Sequence, residues 1–274
     1  MKMNKKFVFY LEITTFCNMS CPFCPSSLTK NHSNMSFDNI INVINKIKEN
    51  ISLLYFHVLG EPLLHPNFKE IINYCEKEKI PFALTTNGVF LNNFKELLNK
   101  EYLQKINISL QSLIQFSKDE INNYLDNIFE FINYRNSINS VHPINLRLWN
   151  DKNNPKIIFL NNYLHQYFDK IIENNLNIRF SESDEFKWPS TLNTQNKELS
   201  GCLGGKKQFA ILHDGSICLC CLDNNGKTKL GNIFECEFHD ILDSKLYKEV
   251  IESFNNRKPF FELCKNCTFR NRFK

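Results

Sequence analysis

The sequence predicts an α/β fold, a partial (β/α)6 TIM-like barrel with a small cysteine-rich C-terminal extension, and three observations support that expectation. From Phe7 to Phe180, short β-branched or aromatic runs alternate with longer segments of helical period, as repeated βα units around a parallel sheet require. Beyond residue 200 the alternation stops and cysteine becomes dense: seven of the eleven cysteines lie between Cys202 and Cys267. Finally, 274 residues with 42% hydrophobic side chains and 25 Phe suffice for one large core and an appendage, but hardly for two full domains. The expected division is a main unit over 1–200 and a cysteine-rich unit over 201–274.

Six strands are expected, at 7–13, 53–59, 81–84, 105–110, 144–148 and 177–180. Between them, 37–49, 67–79, 92–100, 119–134 and 155–168 carry apolar residues three and four apart, the period of an amphipathic helix packed on a sheet. Ser36 and Asn92 stand where N-caps of the first and third helices belong. At 181–200 the pattern breaks into polar residues around Trp188-Pro189, which reads as a connector. The runs 209–212 and 217–221 then flank His213-Asp214-Gly215-Ser216, an Asp-Gly turn that predicts a β-hairpin, and 238–254 follows as a helix.

A formal charge of +4, with basic residues interleaved among acids as in Lys118-Asp119-Glu120, demands no nucleic acid. No segment approaches the roughly 18 uninterrupted apolar residues of a membrane span, and the N-terminus lacks a signal-peptide pattern, so no membrane and a cytoplasmic location are expected. In that setting, CxxC spacings at Cys21/Cys24, Cys218/Cys221 and Cys264/Cys267 point to metal or redox chemistry rather than disulfides.

The segment Cys17-Asn-Met-Ser-Cys21-Pro-Phe-Cys24 puts three thiols directly after the first strand, and active sites of parallel barrels are built at C-terminal strand ends. Three thiolates leave a four-iron cluster one ligand short, so one iron stays open to a chelating molecule. This CxxxCxxC spacing resembles the cluster motif of the radical S-adenosylmethionine (SAM) superfamily. The competing chemistry is a structural zinc site, which closes its tetrahedron with a fourth ligand such as His32.

Later strand ends extend the resemblance. Gly60-Glu61-Pro62 is similar to the family's GGEP motif, with Leu59 in place of the first Gly, and the resemblance implies contacts to the SAM amino group. Thr85-Thr86-Asn87-Gly88 looks like a signature in which polar groups such as Thr86 and Asn87 line the SAM pocket; Asn-Gly is also an ordinary turn former. Asn107-Ile-Ser109-Leu-Gln111 stands where relatives often have Ser-x-Asp near the SAM ribose, which carries over Ser109 while Gln111 departs from the pattern. Arg147, a charge within an apolar run, either pairs with the SAM carboxylate or forms an ion pair at the barrel rim.

The C-terminal cysteines resemble the SPASM/Twitch extension of the same superfamily, which holds an auxiliary four-iron cluster. The expected ligands are Cys202, Cys220, Cys264 and Cys267, with Cys221 competing for the second place; Cys75, Cys218, Cys221 and Cys236 otherwise read as small buried hydrophobes. Only 268–274 follow the last CxxC, which favours the one-cluster Twitch form. The resemblance implies an enzyme that cleaves SAM reductively and abstracts hydrogen from a small-molecule or peptide substrate, with an electron donor such as flavodoxin or ferredoxin. The alternative is a non-catalytic zinc- or iron–sulfur-binding interaction module.

Overall fold

The computed structural model describes residues 5–28, 31–173, 177–185, 187–192 and 201–273. Six strands, β1 (Phe7–Leu11), β2 (Ile51–Phe56), β3 (Phe82–Thr86), β4 (Leu103–Ser109), β5 (Ile144–Trp149) and β6 (Ile178–Ser183), pair in parallel in chain order. Period-two burial sets their faces. Phe7, Phe9 and Leu11 are fully buried on one face of β1, whereas Val8 and Tyr10 on the other are half-buried. Strand β3, in the middle of the sheet, is buried along its whole length, as a strand covered on both faces must be. The sheet does not close.

Four helices cover these strands: α1 (Phe37–Ile47), α2 (Phe68–Lys77), α3 (Lys118–Ser137) and α4 (Pro155–Glu173). Ser36 caps α1, its hydroxyl accepting from Asn39 N at 3.3 Å. Ser117 and Glu120 form a capping box at α3. The helix expected over 92–100 is absent. Leu91–Phe94 and Leu97–Asn99 are separate 3-10 turns with non-helical backbone at Leu98, where φ is −81° and ψ is 26°. Asn92 does not cap: its Nδ2 donates to Asn127 O (3.0 Å) and Asn127 Oδ1 (2.9 Å) on α3, so tertiary hydrogen bonds replace the local ones a helix needs.

The hairpin forms as expected and continues the same sheet. Strand β7 (Gln208–Ile211) joins the free edge of β1 in parallel, β8 (Ser216–Cys218) returns antiparallel, and β9 (Gly231–Asn232) pairs with β8. Gly215 takes the positive φ (83°) of the turn. The helix expected over 238–254 is divided into α5 (Phe238–Asp243) and α6 (Lys245–Asn255), because the Ser244 hydroxyl accepts from Tyr247 N at 3.1 Å and starts a new helix. A short α7 (Glu262–Asn266) carries Cys264. Barrel and extension share one apolar core: Phe209 and Phe238 pack on Phe7 and Phe9, with centroids 5.1 Å apart for Phe7–Phe209 and for Phe9–Phe238. That core fixes the extension's cysteines relative to the strand ends.

Candidate functional site

The N-terminal cysteine loop leaves β1 and is pinned from three sides. Cys24 N–H donates to Cys21 O (3.0 Å), closing a turn, and the Phe23 ring meets Trp149 at the end of β5 with centroids 4.1 Å apart. Gln115 Nε2 donates to Cys21 Sγ at 3.3 Å. Asn87 Nδ2 donates to Asn18 Oδ1 (2.8 Å) and lies 3.9 Å from Cys17 Sγ. Burial raises all three thiols, Cys21 to about 11, so iron must displace their protons on binding. His32 hydrogen-bonds Thr15 O through Nδ1 (2.8 Å) and tilts against Phe16.

The Gly60-Glu61 turn and the Thr86-Asn87 strand end are clamped together by one carboxylate. Glu61 Oε1 accepts from Thr86 Oγ1 (2.7 Å) and Leu63 N (3.1 Å), and Oε2 accepts from Asn87 N (2.7 Å). Burial pushes Glu61 up to about 7 against the opposing pull of these donors. Gly60 has φ +72°, and a Cβ there would lie 2.3 Å from Thr14 O and 2.9 Å from Phe16 O. Gly60→Ala is expected to cost about 2–4 kcal/mol, combining the left-handed conformation with backbone overlap; an unchanged thermal midpoint would contradict this reading. Glu12, also buried, accepts from Leu59 N (3.2 Å) and from His213 N (3.2 Å) and Nδ1 (2.8 Å), which ties this turn to the hairpin.

These groups surround a cavity of about 140 Å³ lined by Cys17, Cys21, Cys24, Gly60, Glu61, Thr86, Asn87, Ser109 and Arg147. Pro62 is buried at the start of a 3-10 turn, outside that lining. On the same wall, Gln111 Oε1 is buried with no hydrogen-bond partner. A second cavity of about 730 Å³ shares His57, Thr85, Arg147 and Leu222 with the first. Burial, with Arg147 beside it, holds His57 down at about 3, so its imidazole is neutral. The titratable side chains that raise Arg147 against its burial are Cys221, Tyr10 and Tyr55, none of them a carboxylate.

The C-terminal thiols gather on the far wall of the larger cavity. Cys202, Cys220, Cys221 and Cys267 line it, and Cys264 lies behind them, buried on α7. Cys221, Cys202 and Cys264 act electrostatically on Cys220, and Cys202 and Cys267 act on Cys264. Burial raises Cys221 to about 12; Arg147 and Cys267 also act on it, and both Cys221 and Cys220 act on Tyr10. Cys221 is therefore a cavity-wall thiol, unlike Cys75 and Cys218, which are fully buried, and Cys236, whose Sγ donates to Asn232 O (3.2 Å). Cys220 and Cys221 follow β8 and both reach the same cavity wall, which spacing alone does not reveal. Cys220→Ala is expected to remove about four irons per chain and Cys221→Ala none; the reverse result in anaerobic iron counting would exchange their roles. Among the described residues, no three or more Cys, His, Asp or Glu converge as a single-ion site.

A parallel, open sheet with three thiols after its first strand and four more gathered beyond its last crossover defines an iron–sulfur protein of the partial-barrel class. The Radical SAM superfamily model matches residues 11–143, and an iron–sulfur cluster-binding domain model (SPASM) matches 202–268. The chain belongs to the radical SAM superfamily and carries a C-terminal SPASM-type domain.

It is 36% identical over 121 residues to a probable GTP 3′,8-cyclase of Methanococcus maripaludis, an alignment covering 40% of this chain and 39% of the relative. It is 27% identical over 113 residues to a tungsten-containing aldehyde ferredoxin oxidoreductase cofactor-modifying protein of Pyrococcus furiosus, covering 40% and 30%. The alignments thus span less than two-fifths of either relative. The fold is similar to that of BtrN in complex with AdoMet and 2-DOIA, with TM-score 0.65 at 17% identity over 97% of this chain and 94% of the other. It also resembles anSMEcpe with bound AdoMet, with TM-score 0.63 at 14% identity over 90% and 83%.

The cofactors of such a chain are SAM, its four-iron cluster and an auxiliary iron–sulfur cluster. The residues present fit them. Soft thiol donors gather in two sets, and Gln111, whose buried Oε1 has no hydrogen-bond partner, belongs to the cavity lining beside the first set.

Proposed function

We propose that this protein cleaves SAM reductively at a four-iron cluster held by Cys17, Cys21 and Cys24, and uses the resulting radical to abstract hydrogen from a substrate in the larger cavity. The observation that carries this reading is the convergence of three thiols, the Gly60-Glu61 turn, Thr86-Asn87 and the orphaned Gln111 acceptor on one cavity. When bound and reduced, the cluster supplies the electron that splits SAM into methionine and a 5′-deoxyadenosyl radical.

The chain's own side chains hold and shape. N–H groups of Gln115 and Asn87 stand beside the sulfurs of Cys21 and Cys17, where they tune the cluster. The Gly60-Glu61 turn receives the SAM ammonium, Ser109 the ribose, and Arg147 the carboxylate as a bidentate pair. Phe23, Trp149, Val58, Leu59 and Trp188 form an apolar wall that excludes water. Cys202, Cys220, Cys264 and Cys267 hold one auxiliary cluster, whose four thiolates saturate it and suit it to electron transfer or structure. Electrons come from a flavodoxin- or ferredoxin-like donor, and the protein works in the cytoplasm. Among the described residues no helix is long and apolar enough to cross a membrane.

The substrate is a small molecule or a peptide. Neighbours of both kinds share the fold: BtrN crystallised with 2-DOIA, and anSMEcpe with the Cp18Cys peptide. Anaerobic purification with iron and sulfide counting, followed by reduction with dithionite and detection of 5′-deoxyadenosine, tests the reading. About eight irons per chain and SAM-dependent 5′-deoxyadenosine are expected. A colourless zinc protein that forms none would establish the non-catalytic module instead.

A further inference from the structure

One rung of polar side chains crosses the inner face of the sheet. Thr85 on β3, Asn107 on β4, Asn145 on β5 and Arg179 on β6 are register partners, and all four line the larger cavity. Their side chains form a continuous hydrogen-bonded chain. Asn107 Nδ2 donates to Thr85 Oγ1 (3.2 Å), Asn145 Nδ2 donates to Asn107 Oδ1 (2.9 Å), and Arg179 Nε donates to Asn145 Oδ1 (2.7 Å). Thr85, Asn107 and Asn145 are buried, whereas Arg179 is exposed on the edge strand.

The consequence for Arg179 is geometric. A guanidinium has five N–H donors in a planar fork. With Nε committed to the amide chain, the plane is fixed and the two terminal nitrogens remain as a pair, the arrangement that grips a carboxylate or phosphate with two parallel hydrogen bonds. One rung away on the same face, Lys105 stands over the Tyr55 ring, its Nζ 5.4 Å from the centroid, and also lines the cavity. Among the described residues no Asp or Glu lines this cavity.

The thiol set has cations of its own, distinct from these two. Lys206 and Arg270 are the cations that act on Cys202, Arg270 acts on Cys264 and Cys267, and Arg147 acts on Cys221. Arg179 and Lys105 both line the cavity, from β6 and β4.

We propose that the larger cavity takes a small anionic substrate whose carboxylate or phosphate is gripped by the Arg179 fork, with Lys105 adding positive charge to the same cavity, leaving the rest of the molecule directed toward the wall shared with the SAM cavity. A volume of about 730 Å³ suits a ligand of metabolite size. This inference rests on the proposed function, since it assigns the substrate class of that same site.

Isothermal titration of the anaerobically reconstituted holoenzyme, saturated with SAM, tests it with four probes at matched ionic strength: inorganic phosphate, succinate, uncharged succinamide and an acidic hexapeptide. Saturable binding of phosphate or of succinate is expected, with the stronger of the two identifying the substrate's anionic group, and no binding of succinamide. Arg179→Ala is expected to weaken the anion about tenfold or more, and Arg179→Lys to recover only part, because a lysine keeps the charge without the fork. Asn145→Leu, which removes the hydrogen bond orienting the guanidinium, is expected to fall between them. Iron and sulfide contents equal to the wild type verify that each variant is assembled. Equal affinity in Arg179→Ala and wild type, comparable binding of succinamide, or binding of the hexapeptide but neither small anion would overturn the proposal. Wild-type enzyme that forms 5′-deoxyadenosine yet binds no anion would refute this inference alone. A chain without iron and without 5′-deoxyadenosine would refute the proposed function beneath it.

Discussion

Replacing Cys17, Cys21 and Cys24 together with alanine is expected to leave about four irons per chain instead of about eight, and to abolish 5′-deoxyadenosine formation altogether. The reasoning is one of separation. The three thiols sit on a loop after β1, whereas Cys202 precedes the hairpin, Cys220 lies on the turn after it, and Cys264 and Cys267 lie on and just past α7, joined to the barrel through the Phe7, Phe9, Phe209 and Phe238 cluster. Emptying the first set removes no strand or cap of the second, and the Cys24 side chain is the one part of it packed on the small apolar cluster, with Leu59 and Leu222, that Cys220 and Cys267 also touch. The retained irons should therefore show the absorption of a saturated cluster that binds no SAM. Loss of all iron would mean that the two sets do not assemble independently, and retention of about eight would remove these cysteines from the site.

Glu61→Ala should produce the largest effect of any single substitution away from the cysteines. The carboxylate is buried and accepts from Thr86 Oγ1, Leu63 N and Asn87 N. Alanine leaves two backbone N–H groups and a hydroxyl without their acceptor, each worth about 1–3 kcal/mol when buried. Because losses within one network are not additive, a total of about 3–5 kcal/mol is expected. At roughly 2–4 °C per kcal/mol for a chain of this size, the thermal midpoint falls by about 10 °C. Glu61→Gln separates the contributions. Its carbonyl can keep Thr86 and Leu63, but its NH2 then opposes the Asn87 N–H, donor against donor. An intermediate loss of stability with a marked loss of SAM affinity is expected, read by anaerobic melting and by titration with SAM. A glutamine variant that matches the wild type in both would show that the carboxylate does not clamp the two strand ends.

Much of this site was legible because its parts are local. Cys17, Cys21 and Cys24 lie within one loop, so their spacing alone limits how they can chelate. Gly60 meets a left-handed turn, which glycine fills without strain. Ser36 caps α1 through a hydrogen bond three residues away, and Asp214-Gly215 closes the hairpin it announces. Local hydrophobic period placed six strands and four of the five crossover helices. It failed at 92–100 because a short segment can satisfy its apolar residues in 3-10 turns while Asn92 bonds across to α3. It also failed at Ser244, where a hydroxyl that could have sat within a helix began another.

The sequence by itself determined the strand-and-helix alternation, the first cysteine loop and the candidate SAM residues, since each depends on neighbours in the chain. Only the tertiary structure decided that Cys220 and Cys221 both reach the wall beside Cys202 and Cys267, that Glu61 is shared between two strand ends, and that Gln111 Oε1 is buried without a partner. It also revealed the polar rung. Asn107-Ile-Ser109, Asn145-Leu-Arg147 and Arg179-Phe-Ser181 each alternate polar with apolar, and only parallel register makes three separate patterns into one row. The physical reason is that hydrogen bonds and electrostatic contacts form between groups that meet in space. Which groups meet is set by strand order and register, and these depend on the packing of the entire core rather than on any one segment.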